Sequence, residues 1–120
     1  MKTTELFDLT KSIAEPLLAR FVYPEGALVW LSDFICEAGP RLDKGKYVET
    51  EKNVWVAKSA TVAKSALILP PAIIGENAEI RHTVYIRGSV IVGNSAVVGN
   101  SSEIKNSILF DKVQVPHFNY

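Results

Sequence analysis

Aliphatic side chains recur at every sixth position between Val56 and Ile104: Val56, Val62, Ile68, Ile74, Ile80, Ile86, Val92, Val98 and Ile104. A mostly small residue follows each of them at an offset of four, through Ala60, Ala66, Ala72, Ala78, Val84, Val90, Ala96 and Ser102, with Ile108 the first bulky exception. Neither a helix nor an alternating strand produces that period. It predicts one short β unit stacked many times, each unit burying its apolar side only against its neighbours. A sandwich of short strands would not hold so fixed a register over nine units.

The preceding segment has another rhythm. Leu6, Leu9, Ile13, Leu17 and Phe21, and then Leu28, Leu31 and Ile35, stand at helical spacings. Two short helices are predicted, broken near Tyr23-Pro24-Glu25-Gly26 and closed by Gly39-Pro40. Residues 41–52 read as a charged connector. The division is therefore a helical cap and connector over 1–52 and a repeat over 53–120. The cap is expected to shield the open first coil, and a helical partner-binding role stands beside that reading.

The hexad pattern of residues 53–120 resembles the left-handed parallel β-helix of the hexapeptide-repeat proteins, in which three hexads make one triangular coil. The resemblance implies a mainly β protein: a left-handed β-helix of about four coils behind a pair of short α-helices. In that fold the aliphatic residue fills the prism and the small one sits at the corner. Short Val- and Ile-rich strands suit it. Gly75, Asn77, Gly88, Gly93, Asn94, Gly99 and Asn100 are the expected corner residues.

Residues 18 apart then stack on one face, about 4.8 Å from each other. Trp55, Ile73, Ile91 and Leu109 form an apolar outer stripe, which must be buried against something. It is either covered by the amino-terminal helices or is a subunit interface, and the resemblance favours a homotrimer. Leu67, Tyr85 and Glu103 line a second face, and Thr61, Glu79, Val97 and Val115 a third. Arg87 and Lys105, one coil apart, put two cations side by side on a wall, which suits a phosphate: Arg offers a planar fork and Lys a point charge. Two solvated surface charges would give the same spacing.

The carboxyl-terminal stretch SSEIKNSILFDKVQVPHFNY resembles the acetyltransferase half of the bacterial bifunctional enzymes that make UDP-N-acetylglucosamine, and their stand-alone sugar-nucleotidyltransferase-like relatives. Glu103 and Lys105 match the family's E-x-K, and His117 and Tyr120 its H-x-x-Y. The resemblance implies an acyltransferase that moves acetyl from acetyl-CoA to the amine of glucosamine 1-phosphate or a similar amino-sugar phosphate. Arg87, Lys105 and Tyr120 would bind the sugar phosphate, and His117 would be the general base, a task its ordinary pKa range suits. No metal is inferred, and no acetyl-CoA site is evident in these residues. The rival reading is a non-catalytic trimerising or sugar-phosphate-binding module associated with a sugar nucleotidyltransferase.

Phe110 and Pro116 stand where aliphatics are due, so the register bends near the end. An incomplete last repeat is expected to continue beyond Tyr120 or to be closed by another chain. Residues 1–52 contain no glycine-rich nucleotide loop. The 13 basic and 13 acidic residues balance, which argues against a nucleic-acid or anionic-membrane surface. Cys36 is alone and the start lacks a signal-peptide core, so a cytoplasmic location is expected. Cys36 is predicted to be a small buried hydrophobe, and His82 a surface or corner residue.

Overall fold

A computed structural model describes residues 20–22 and 28–116. Along the chain come β1 (Arg20–Val22), helix α1 (Leu28–Ala38), a 3-10 turn (Gly39–Arg41), β2 (Tyr47–Glu51), β3 (Val54–Ala57), β4 (Thr61–Val62), β5 (Leu67–Ile68), β6 (Ala72–Ile74), β7 (Glu79–Ile80), β8 (Tyr85–Val92), β9 (Val97–Val98), β10 (Glu103–Leu109) and β11 (Gln114–Val115). The repeat folds as a mainly β solenoid of about three turns. One face stacks β3, β6 and the second halves of β8 and β10; another stacks β4, β7, β9 and β11; the third stacks β5 with the first halves of β8 and β10. All these pairings are parallel. The hexad aliphatics fill the interior as the period predicts: Ile74, Ile80, Ile86, Val92, Val98 and Ile104 are at most 1% exposed. Burial of each such side chain is worth about 1.5–3 kcal/mol.

The coils are not uniform. Tyr85, Ile86 and Arg87 pair with Glu103, Ile104 and Lys105 at a separation of 18, but Val90, Ile91 and Val92 pair with Ser107, Ile108 and Leu109 at 17. One residue is missing where Asn106 stands opposite Gly88 and Ser89. This corrects four expectations. Leu109 belongs to the interior beneath Val92, and Ile108 takes its place on the outer stripe. Val115 points inward, paired with Val98, while Gln114 takes the outward place next to Val97. Phe110 and Pro116 do not break the repeat, because Leu109 and Val115 are the interior residues of the shortened coil. Ser107, not Ile108, is the small residue beside Val90.

Corner conformations also differ from expectation. Asn77, Ser95 and Lys112 form one column of positive φ, Thr83 and Ser101 a second, and Gly88 with Asn106 a third. Of the expected glycines, only Gly88 has positive φ, at 72°. Gly75 and Gly93 serve close approach instead, since a Cβ on either would press against the next coil. Side-chain oxygens join the coils at these corners: Ser59 accepts the Asn77 N–H at 2.9 Å, Ser65 the Thr83 N–H at 2.9 Å, and Asn94 the Glu76 N–H at 2.8 Å. Each satisfies a backbone donor that the bend would leave unpaired.

The segment before the repeat closes three surfaces. Helix α1 lies over the apolar stripe, where Leu31, Phe34, Ile35 and Ala38 pack with Trp55, Ile73, Ile91 and Ile108 in one buried cluster. The helix ends at Ala38 and tightens into the 3-10 turn at Gly39-Pro40, as predicted. The connector is not a plain link: its residues 47–51 form β2, antiparallel to β3, which covers the first edge of that sheet. At the other end β1 pairs antiparallel with β10, through Phe21 opposite Ile108. Phe21 was expected in a helix, but β10 offers it an unpaired row of donors and acceptors, and Pro24 blocks helical continuation. The rest of the first predicted helix lies outside the described residues. No helix among the described residues is long and apolar enough to cross a membrane.

Candidate functional site

Alternation along a strand sends residues on either side of a buried one outward. Ile86 and Ile104 are fully buried, so their neighbours Tyr85, Arg87, Glu103 and Lys105 project from the face built by β5 and the first halves of β8 and β10. Strand pairing brings Arg87 directly beside Lys105, and Tyr85 beside Glu103. The two predicted phosphate ligands are therefore neighbours on a rigid wall.

Glu103 changes the electrostatics of that wall. Arg87 Nε donates to Glu103 Oε2 at 2.6 Å, across the coils. The Arg87 side chain is 43% exposed and that of Glu103 28%. Its guanidinium also lies 5.8 Å from the centre of the Tyr85 ring, within cation–π range. Lys105 is exposed. The patch is thus a constrained Arg–Glu pair beside an unscreened ammonium, with a net charge of one positive unit. It can take an anion at Lys105, while Arg87 can join only by sharing its fork between Glu103 and the ligand, as its remaining N–H donors permit. By spacing alone Arg87 and Lys105 are two free cations, whereas in the fold Glu103 is the counter-charge of Arg87. The signal was available, because E-x-K places its carboxylate on the same side of the strand as its lysine.

His117 and Tyr120 lie outside the described residues. Leading to them, the chain runs along the neighbouring face through Pro116, whose carbonyl accepts the Ser102 hydroxyl at 2.8 Å. A shallow cleft of about 300 Å³ sits there, lined by Arg81, Gly99, Asn100, Gln114 and Pro116. Arg81 is held by Glu79, Nε to Oε2, at 2.7 Å. His82 is an exposed corner residue, with Nδ1 3.4 Å from Ser65 Oγ. Cys36 is half-buried on α1, less enclosed than predicted, because the helix turns it partly away from the stripe. Among the described residues no three His, Cys, Asp or Glu side chains come together in a way that could hold a metal ion.

Tyr47 on β2 packs against the cluster beneath α1. Burial pushes its phenol up from 10.0 to about 12, helped by the negative charges of Glu76 and Asp111. It remains a hydrogen-bond donor across the neutral range.

No curated protein and no solved structure matches the chain significantly. A family model does: that of the GMPPB C-terminal domain matches residues 50–120, a range that includes the end of β2 and all of the described solenoid. It describes a sugar-nucleotidyltransferase-related domain of β-helix type, in agreement with the parallel coils. By its repeat and this match over more than half its length, the chain belongs to the GMPPB C-terminal domain family.

Proposed function

We propose that this chain is a sugar-phosphate-binding β-solenoid module that works with a sugar nucleotidyltransferase. The observation that carries the reading is the in-register pair of Arg87 and Lys105 on an exposed face, in a chain whose family is related to sugar nucleotidyltransferases. Lys105 supplies the point charge for the phosphate. Arg87 contributes its remaining donors, and Glu103 selects against a bare polyanion while accepting from a sugar hydroxyl or amine. Calorimetry with sugar 1-phosphates on the wild type and Lys105→Ala tests this. Saturable binding that weakens at least tenfold in the variant is expected; binding unchanged by the substitution sinks the assignment.

Acetyl transfer is a second reading, favoured by Glu103 and Lys105 standing on one strand as an E-x-K unit beside Arg87. On this reading the amine of glucosamine 1-phosphate, deprotonated by His117, attacks the acetyl-CoA thioester carbonyl. The thiolate of CoA leaves, and Tyr120 holds a sugar hydroxyl. Assay of acetyl transfer in a chain that continues beyond Tyr120 decides it: turnover lost in His117→Ala supports the reading, and no His117-dependent turnover removes it. A homotrimeric assembly in the cytoplasm, as in the acyltransferases the sequence resembles, belongs to the same proposal. Its interface would lie outside the stripe that α1 already covers.

A further inference from the structure

A second cleft, of about 400 Å³, opens at the first-coil end of the face that α1 covers, away from Arg87 and Lys105. Its walls come from four elements that meet only in the folded chain: the 3-10 turn after α1, the loop into β2, β2 itself, and β3 with the corner that follows it. Pro40, Leu42 and Trp55 give it an apolar side, and Lys44, Lys58 and Glu49 a charged rim. Trp55 is 5% exposed, so it offers an edge and not a whole ring face. It is held there because Gly39 has no side chain: a Cβ on Gly39 would fall within the indole. The lysines are exposed, and among the described residues neither has an ion-pair partner. Lys58 is anchored through its backbone, its N–H donating to Lys46 O at 2.7 Å, which fixes the corner against the loop before β2. Glu49 is held at the rim by accepting the Asn53 N–H at 2.9 Å on Oε2, leaving Oε1 for a ligand hydroxyl.

Two ammonium groups lining one cleft repel each other until an anion lies between them, and a phosphate group does this with several acceptors. An indole edge with proline and leucine beside it offers van der Waals contact to the apolar side of a saturated ring, but no open ring face for the flat stack a nucleobase needs. A fixed carboxylate oxygen at the rim suits a donor hydroxyl. We propose that this cleft is a second ligand site, for a phosphorylated monosaccharide: Lys44 and Lys58 bind the phosphate, Glu49 accepts from a ring hydroxyl, and the Trp55 edge packs on the ring. The site is independent of the Arg87–Lys105 reading and does not rest on it.

The test uses the full chain carrying Lys105→Ala, which silences the other patch, and Trp30→Phe, which leaves Trp55 as the only indole. Glucose 1-phosphate is titrated while Trp55 fluorescence is followed, with inorganic phosphate as a second probe. Saturable binding with an indole response is expected, weakened at least tenfold by Lys44→Ala with Lys58→Ala and largely retained in Lys58→Arg. The exposed lysine variants should keep the parent melting temperature, so lost binding is not lost folding. No binding in the Lys105→Ala background, binding indifferent to both lysines, or inorganic phosphate binding as tightly as the sugar phosphate would each overturn the proposal.

Discussion

Asn106 fills with its side-chain oxygen the space that a β-carbon on Gly88 would need, and this contact marks the point where an 18-residue coil becomes one of 17. Asn106 Oδ1 also faces the Ser89 N–H, 3.4 Å away, so a buried carbonyl from one coil serves the bend of the coil below. Gly88 has φ +72° and Asn106 φ +52°. Gly88→Ala should therefore meet both a left-handed backbone and an occupied space, with a loss of about 1–3 kcal/mol. Urea denaturation measures it, and an unchanged midpoint would show that the corner is not constrained.

The shortened coil makes Leu109 an interior residue. Leu109→Ala should cost about 2–5 kcal/mol, as expected for a fully buried leucine whose cavity the rigid coils cannot close. Were Leu109 on the outer stripe as an unbroken count of 18 implies, its truncation would instead loosen α1. Stability and helical circular dichroism measured together distinguish the two, and the expected result is lost stability with the helix signal retained up to the transition.

Leu31 is the residue of α1 to disturb if the apolar stripe is to be uncovered, being fully buried in the cluster with Ile73 and Ile91. A charge there has no partner, so Leu31→Asp should detach the helix, lower the helical signal and leave a wide apolar sheet face in water. Concentration-dependent self-association in sedimentation velocity is the expected result. A variant with unchanged helix content and unchanged mass would refute the view that α1 shields this face.

Glu103→Gln removes the counter-charge of Arg87 without changing its shape. The pair is partly exposed, so folding stability should change by less than about 1 kcal/mol. Sugar-phosphate affinity should rise by about three- to tenfold, because the freed guanidinium can bind bidentately. Calorimetry at two salt concentrations checks this, the gain being smaller at high salt.

Tyr47 ties stability to alkaline pH. Its folded pKa of about 12 exceeds the unfolded value of 10.0. The folded chain therefore holds the proton more tightly, and the stabilisation is complete below pH 10 and lost as pH rises through about 12. Tyrosinate absorbance should show a late-titrating component that is missing in Tyr47→Phe, and the variant should lose less stability across that window than the wild type does.

How far the sequence carried this picture depended on the kind of interaction. Period six is a one-dimensional record of a repeating burial, so the solenoid, its interior aliphatics and the Arg87–Lys105 adjacency were legible by counting. The one-residue shortening was also present, since Ser107, Leu109 and Val115 restore the small and aliphatic positions once the count slips by one. Position counting alone put Leu109 and Val115 outside, because an error of one residue inverts every side chain of a strand. Helical spacing could not place Phe21, whose strand forms only where β10 leaves an edge to pair with.

What the chain determined by itself is the set of surfaces: an interior, an apolar stripe and a basic pair, each fixed by residue type and period. Tertiary structure decided what meets those surfaces. Helix α1 covers the stripe because it is tethered beside it, Glu103 takes the fork of Arg87 because the coils bring it within hydrogen-bond reach, and Lys44 and Lys58 reach one cleft only after β2 pairs with β3. These are competitions between partners distant in sequence, and they are settled by distance and burial in the folded molecule.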